Sequence, residues 1–267
     1  MEKIGENTIK RLSKIGDRKY HSRYGEFLVE GLRSVEEAFK AKVEIKDLII
    51  RHGEERVARI AELISAASDK GLSIWSVTSS EMSKICRTVN SQGIAAGVKL
   101  SSKTTGDLFG EILQYKTGVV VFLDSVQDPG NVGALIRSAE AFGVGGIILG
   151  RGSAGLYNPK TIRSTMGAIF RVPVVEMGDR KPEEIIERFK KAGFRILVAN
   201  ISEKATSLNK TNKFQKNLLV IGSEARGVSK SILSIADTEI YISMSGPTES
   251  LNASIAGSIF MYELLKQ

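Results

Sequence analysis

The chain has 267 residues, 42% hydrophobic and 25% charged, and carries 38 Lys+Arg against 30 Asp+Glu for a net charge of +8. These proportions exclude a disordered or fibrous chain, and a chain of this length, enough for one or two domains, buries roughly 70–75% of its unfolded surface without help from disulfides or metals. The single cysteine, Cys86, excludes an internal disulfide and a multi-cysteine zinc finger and fits a reducing compartment.

The N-terminal segment comes first. Residues 1–23 hold seven basic side chains against three acidic ones, so half of the net charge lies in the first tenth of the chain. Ile4, Ile9, Leu12 and Ile15 recur at helical spacing, which predicts a helix docked by its apolar stripe, with the opposite face free for phosphate. Met1-Glu-Lys-Ile-Gly lacks a secretory pattern. No apolar run nears the roughly 18 residues that span a bilayer. The basic balance is therefore read as attraction to nucleic acid in the cytoplasm, not to a membrane.

An alternation of short strands and helices follows. Phe27–Glu30 reads as a strand, and Ser34–Lys42 as a helix with Ser34 and Glu37 spaced as a capping box. Asp47–Ile50 is a second strand. Glu54–Asp69 is helical, with Val57, Ile60, Leu63, Ile64 and Ala67 on one stripe and Gly71 at its end. Ser73–Val77 alternates as a strand, Ser80–Arg87 is a short helix, and Ile94–Leu100 closes the set. The polar, aperiodic stretch Ser101–Asp107 marks a linker. The expected division is 1–103, a linker over 104–116, and 117–267.

The second half has a different texture. Val119–Leu123, Gly146–Leu149, Val172–Val175, Arg195–Ala199 and Leu218–Ile221 are short, nearly continuous apolar runs. Such runs are buried on both faces and predict a parallel sheet covered by helices. Asn131–Phe142, Pro159–Phe170 and Pro182–Lys191 read as those helices, two of them opening on proline as helices prefer. A last strand, Glu239–Met244, precedes a final helix, Ser250–Lys266. The fold class expected is α/β: a parallel-sheet C-terminal domain and a small N-terminal α/β domain.

Ligands of open parallel sheets bind outside the carboxyl ends of the strands. The loops there are Asp124–Gly133, Gly222–Gly227 and Ser243–Asn252, all rich in glycine and in small hydroxyl or amide residues. Familiar chemistries are missing from them. There is no phosphate loop of the Gly-x-x-x-x-Gly-Lys-Ser/Thr kind. Neither His21 nor His52 lies in these loops, which weakens histidine-based hydrolysis and zinc peptidase chemistry. Gly130 and Gly133 do not make the dinucleotide fingerprint. What is left is a group-transfer enzyme whose reagent carries its own activation.

Three ordered segments then carry a resemblance. Asn131-Val-Gly-Ala-Leu-Ile-Arg137, Leu219-Val-Ile-Gly-Ser-Glu224-Ala-Arg-Gly-Val-Ser229 and Ile242-Ser-Met-Ser-Gly-Pro-Thr-Glu-Ser250-Leu-Asn252-Ala-Ser254 resemble the three motifs of the SpoU (TrmH-like) family of RNA ribose 2′-O-methyltransferases, within the SPOUT superfamily. Lys160-Thr-Ile-Arg-Ser-Thr-Met-Gly167 matches the family's middle segment. The likeness covers residues 117–265. Phe27–Gly31 and Ser91–Ala95 are similar to the family's N-terminal, ribosomal-protein-like substrate-binding domain. The resemblance implies a trefoil knot that binds S-adenosylmethionine (AdoMet), a feature no periodicity could reveal.

It also implies roles. Arg137 matches the family's catalytic arginine. A guanidinium remains protonated, so it is read as a clamp on RNA phosphate that also stabilises the developing alkoxide. Asn131 is its expected partner, or an ordinary helix cap. Glu224 and Asn252 complete the catalytic set. Gly222, Glu224, Ile242, Met244, Leu251 and Asn252 are the expected cofactor-binding residues, and Gly227 allows close approach beside them. Ser250 reads as a helix cap or an RNA contact. Asn252, a poor helix former, is better explained by a ligand or RNA contact. Lys160 and Arg163 join Arg137 and Ser250 as candidate RNA contacts. No metal is expected. Two apolar stripes on the last helix, Ala253/Ala256/Gly257/Phe260 and Leu251/Ile255/Ile259/Tyr262, exceed what one core needs and predict a homodimer. Ribosomal RNA is the expected substrate. The alternatives are a transfer RNA methyltransferase, a non-catalytic RNA-binding ribosome-assembly protein on the same fold, and a nucleotide-dependent oxidoreductase, the last opposed by the missing fingerprint.

Overall fold

The computed structural model describes residues 1–41, 43–88, 91–101, 105–211, 215–248 and 250–266. The chain forms two compact units, Met1–Ser102 with Tyr157–Phe170, and Lys103–Leu156 with Arg171–Gln267.

The first unit is built on β1 (Glu2–Lys3), α1 (Glu6–Ile15), α2 (His21–Tyr24), β2 (Glu26–Glu30), α3 (Leu32–Lys40), β3 (Ile45–Arg51), α4 (Ala58–Asp69), β4 (Ser73–Val77), α5 (Ser79–Ile85) and β5 (Ile94–Lys99). Its sheet runs β1-β4-β3-β5-β2, with β5 antiparallel to both of its neighbours. Residues alternate across a pleated sheet. Leu28 and Ile49 accordingly join Leu12, Ile15 and Ile85 on one face, while Val29, Leu48 and Ile50 join Val35 and Ile60 on the other. The predicted stripe of α1 docks as expected, with Leu12 and Ile15 fully buried.

The capping box expected at Ser34 does not form. Gly31, at φ 92°, turns the chain off β2, so α3 starts at Leu32 and Ser34 is buried inside it. The helix expected to run on to Lys42 ends at Lys40, and Lys42 lies outside the described residues. The next helix starts at Ala58, after a single 3-10 turn over Glu54–Arg56. Cys86 is buried, and burial pushes its thiol up to about 12, so it stays protonated at neutral pH.

Among the buried carboxylates of this unit are Glu26 and Asp47. Arg11 on α1 donates to both, reaching Asp47 Oδ2 at 2.6 Å. Trp75 Nε1 donates to the other Asp47 oxygen at 2.8 Å, and Lys46 pairs with Glu26. Burial opposes the Arg11 charge, but the hydrogen bonds and charges of Asp47 and Glu26 outweigh it and raise the guanidinium pKa further.

The rest of the chain holds α6 (Thr105–Leu113), β6 (Gly118–Asp124), α7 (Pro129–Phe142), β7 (Ile147–Leu149), α8 (Pro159–Thr165), β8 (Val174–Glu176), α9 (Pro182–Lys191), β9 (Arg195–Ala199), β10 (Thr206–Ser207), β11 (Lys216–Gly222), α10 (Lys230–Leu233), β12 (Thr238–Tyr241) and α11 (Ala253–Leu265). All these strands form one parallel sheet, ordered β10-β12-β9-β11-β6-β7-β8. Val119–Leu123 and Leu218–Val220 are completely buried, as the unbroken apolar runs require.

Three expectations need correction here. The segment taken as linker is largely the helix α6, whose Phe109 and Ile112 are buried in the core of the second unit. Its polar start hid an apolar pair at helical spacing, and residues 102–104 lie outside the described residues. The helix expected over Pro159–Phe170 ends at Thr165, because Met166 takes a left-handed φ of 51°, and a 3-10 turn follows at Ala168–Phe170. This segment belongs to the first unit, where Ile162 is part of the core and Tyr157 packs against Phe27, the rings tilted by 38° with centroids 4.5 Å apart. The last strand of the large sheet ends at Tyr241, not Met244. No described helix is long and apolar enough to cross a membrane.

Candidate active site

In the second unit a cleft of about 410 Å³ opens beside the carboxyl ends of β9, β11 and β12. All six residues expected to bind a cofactor line it: Gly222, Glu224, Ile242, Met244, Leu251 and Asn252. Ser250 lines it as well and is exposed. Glu249, inside the loop expected over Ser243–Asn252, lies outside the described residues. The walls are mostly apolar, from Ile221, Ile240, Ile242, Leu251 and Phe260.

A chain of side-chain hydrogen bonds runs across one edge. Asn131 Nδ2 donates to Glu224 Oε1. Asn252 Nδ2 donates to Asn131 Oδ1 at 3.0 Å. Asn252 Oδ1 in turn accepts from Ser254 N at 2.9 Å, Ser254 Oγ at 2.6 Å and Ile255 N at 3.3 Å. Three residues expected in the catalytic set are thus brought together, although Glu224 is 93 positions and Asn252 is 121 positions from Asn131.

The capping roles differ from expectation. Asn131 does not cap α7. Asp128 does, accepting from Asn131 N at 3.0 Å, with Pro129 at the first helical position. Asn252, expected as a catalytic and ligand or RNA contact but not as a cap, is the N-cap of α11, so Ser250 is not. The cap holds the Asn252 amide so that its nitrogen faces Asn131, and one side chain serves the helix and the network together.

Gly222 was expected to let the cofactor approach. The geometry gives a more immediate reason for glycine. A Cβ there would lie 2.2 Å from the carbonyl carbon of Gly227 and 2.3 Å from Val228 N. Ser223 and Gly227 exchange backbone hydrogen bonds of 3.1 and 2.9 Å that close this loop, and a side chain at Gly222 would push it open.

Arg137 is exposed on α7, does not line the cleft, and makes no hydrogen bond or ion pair among the described residues. The opposite side of α7 is core, with Val132, Leu135, Ile136 and Ala139 buried. Lys160 is exposed on α8. Arg163 is occupied elsewhere, donating to Glu30 Oε2 at 3.2 Å and to Thr88 Oγ1 at 2.8 Å within the first unit. That ion pair with a buried acid accounts for Arg163 without a phosphate. Among the described residues no cluster of His, Cys, Asp and Glu is placed to hold a metal.

The sequence reading missed the wall that β9 supplies. Ala199, Asn200 and Ile201 line the cleft, as do Ala256 and Phe260 of α11. The carboxyl-end rule applies to β9 as to the other strands, but its loop carries no glycine and was passed over.

Comparison with known proteins agrees with this picture. The SpoU rRNA Methylase family matches residues 118–262, and an MRM3-like substrate binding domain matches residues 6–96. A relative from Bacillus subtilis, the 23S rRNA (guanosine(2553)-2′-O)-methyltransferase RlmP, is 28% identical over 99% of this chain and 98% of its own. The SpoU methyltransferase AviRb from Streptomyces viridochromogenes, solved in complex with AdoMet, superposes with a TM-score of 0.82 at 26% identity, covering 98% of each chain. An RNA methyltransferase structure of the TrmH family from Porphyromonas gingivalis gives 0.81 at 27% identity, again covering 98% of each chain.

Proposed function

The chain belongs to the SpoU rRNA methylase family, and from that premise we propose that it transfers a methyl group from AdoMet to a ribose 2′-hydroxyl of ribosomal RNA. The observation that supports this best is the cleft itself. Its volume falls in the usual small-molecule range of roughly 300–1,000 Å³. Apolar walls suit an adenine ring, and an ordered carboxylate–amide chain lies at one edge. Gly222, Ile242, Met244 and Leu251 would hold the cofactor, with Ala199 and Ala256 leaving room for it. When bound, AdoMet supplies a methyl group on a sulfonium, ready for in-line displacement.

The protein's part is positioning and electrostatics. Asn252, fixed by its cap, holds Asn131, which holds Glu224 at the mouth of the cleft. Arg137 serves from the RNA side. Its guanidinium, without a partner among the described residues, clamps a phosphate and stabilises charge developing on the 2′-oxygen. It cannot accept the proton, which passes to the phosphate or to solvent. The first unit supplies RNA affinity. Its basic N-terminal segment presents Lys14 and Lys19 around Tyr20, and Arg23 over Tyr24, a mixture of cations and aromatic faces suited to RNA. A non-catalytic RNA-binding role is disfavoured by the intact Asn131–Glu224–Asn252 chain. The knot implied by the resemblance would be tied from the same cofactor-binding loops.

Two experiments test this reading. With tritiated AdoMet and ribosomal RNA, label is expected in ribose, recovered as alkali-resistant dinucleotides; label on a base, or no transfer, would reject it. Ala256→Trp should fill the cleft and weaken calorimetric AdoMet affinity by at least about 100-fold, without loss of the folded circular-dichroism spectrum. Unchanged affinity would place the cofactor elsewhere.

A homodimer is part of the proposal. On α11, Ala253, Gly257 and Phe260 are buried, whereas Ile255, Ile259 and Tyr262 are 53%, 36% and 52% exposed. The exposed three lie at i, i+4 and i+7, one helical stripe, and a second copy of the chain would cover it. Ile259→Glu is expected to turn a dimer into a monomer in light scattering at micromolar concentration. A wild-type monomer would refute the interface.

A further inference from the structure

The first unit holds a separate pocket of about 260 Å³ that takes no part in the cleft described above. Its walls come from Glu30–Ser34 at the junction of β2 and α3, from Cys86, Thr88, Ser91, Gln92 and Ile94 between α5 and β5, and from Arg163 with Met166 at the end of α8. We infer that this pocket receives a single unpaired nucleotide of the RNA substrate. The inference rests on the RNA-methylating function proposed above and adds a specificity site to it.

The floor is organised but closed to a ligand. Glu30 accepts from Arg87 N at 2.9 Å, Thr88 N at 3.2 Å and Arg163 Nη1 at 3.2 Å, and from the Thr88 hydroxyl. Its charge is therefore matched, and it fixes the walls. Cys86, Ile94 and Met166 contribute apolar surface. The groups left facing a guest are mainly donors. Gln92 Oε1 accepts from Leu32 N at 2.9 Å, which leaves its NH₂ as a donor. Arg33 is exposed at the rim and makes no hydrogen bond or ion pair among the described residues. Apolar lining from Cys86, Ile94 and Met166, with the Gln92 amide and Arg33 as donors, fits a base edge rich in acceptors, with its phosphate at Arg33. The volume, below the range of drug-sized ligands, suits one ring system. RNA is read in sequence mostly through unstacked bases of this kind.

The backbone points to the same place. Only two described residues other than glycine have a positive φ, Ser125 and Met166. A bulky side chain in that region is strained, and strain of this kind gathers at ligand sites. At Met166 it stops α8 at a residue that lines the pocket.

The experiment uses the full chain and ribosomal RNA transcribed with 4-thiouridine. After irradiation, peptide mapping is expected to find adducts on residues 86–94 and at Met166, with or without AdoMet. Arg33→Ala should raise KM for the RNA about tenfold, with kcat within twofold and AdoMet affinity unchanged. Met166→Gly should relieve the backbone yet still raise KM, an effect that a purely structural role of Met166 would not produce. Adducts confined to other segments, or an unchanged KM in both variants, would overturn the assignment. Failure of AdoMet binding or of methyl transfer in the wild type would instead count against the proposed function.

Discussion

Arg137→Ala is expected to lower kcat for ribose methylation by about 100- to 1,000-fold while leaving AdoMet affinity within twofold. The magnitude is that of removing one preorganised donor from developing negative charge. The separation of effects follows from geometry: Arg137 is exposed on α7 and does not line the cofactor cleft, so its loss leaves the Asn131–Glu224–Asn252 chain intact. Arg137→Lys should recover little, because a compact ammonium cannot replace a planar, forked donor. Single-turnover methyl transfer beside calorimetric AdoMet binding decides the matter. Near-normal turnover by the alanine variant would remove Arg137 from the chemistry.

Arg11→Met is expected to be the most destabilising single change in the first unit, at about 3–5 kcal/mol in urea unfolding. The Glu26 and Asp47 side chains are 3% and 4% exposed, and Arg11 bridges them. Removing the bridge leaves Asp47 with Trp75 as its neutral donor and Glu26 with Lys46 as its ion-pair partner. The cost is the burial of charge left unmatched, not the value of a surface contact. Lys10→Met is the control. Lys10 meets Glu6 at 3.8 Å with both side chains largely exposed, and pairs of that kind contribute about 0–1 kcal/mol. Equal losses in the two variants would show that Arg11 acts only through its packing.

Much of the architecture was legible in the residues. The five apolar runs of the second half became β6, β7, β8, β9 and β11, because a strand covered on both faces cannot hide its composition. Pro159 and Pro182 do open helices, and Leu12 and Ile15 do dock α1. Where local signals competed, the reading slipped. The polar residues before α6 concealed Phe109 and Ile112, and Ser34 looked like a cap although Gly31 had already turned the chain.

The candidate site divides along the same line. Its glycine-rich and amide-rich loops could be found because ligand-binding loops need small, hydrogen-bonding residues wherever they occur. Their partnership could not. Asn131 follows β6 and Glu224 follows β11, and nothing local states that these strands are neighbours, as they are in register from Lys216–Gly118 to Gly222–Asp124. The same holds for Arg163, which read as a phosphate contact until the fold set it beside Glu30, 133 positions away. Gly222 read as room for a ligand until Gly227 came to lie against it. Periodicity and capping arise from interactions within a few residues and are written in the chain itself. Which distant side chains share a proton or a charge depends on strand order and helix docking, and only the folded packing sets those.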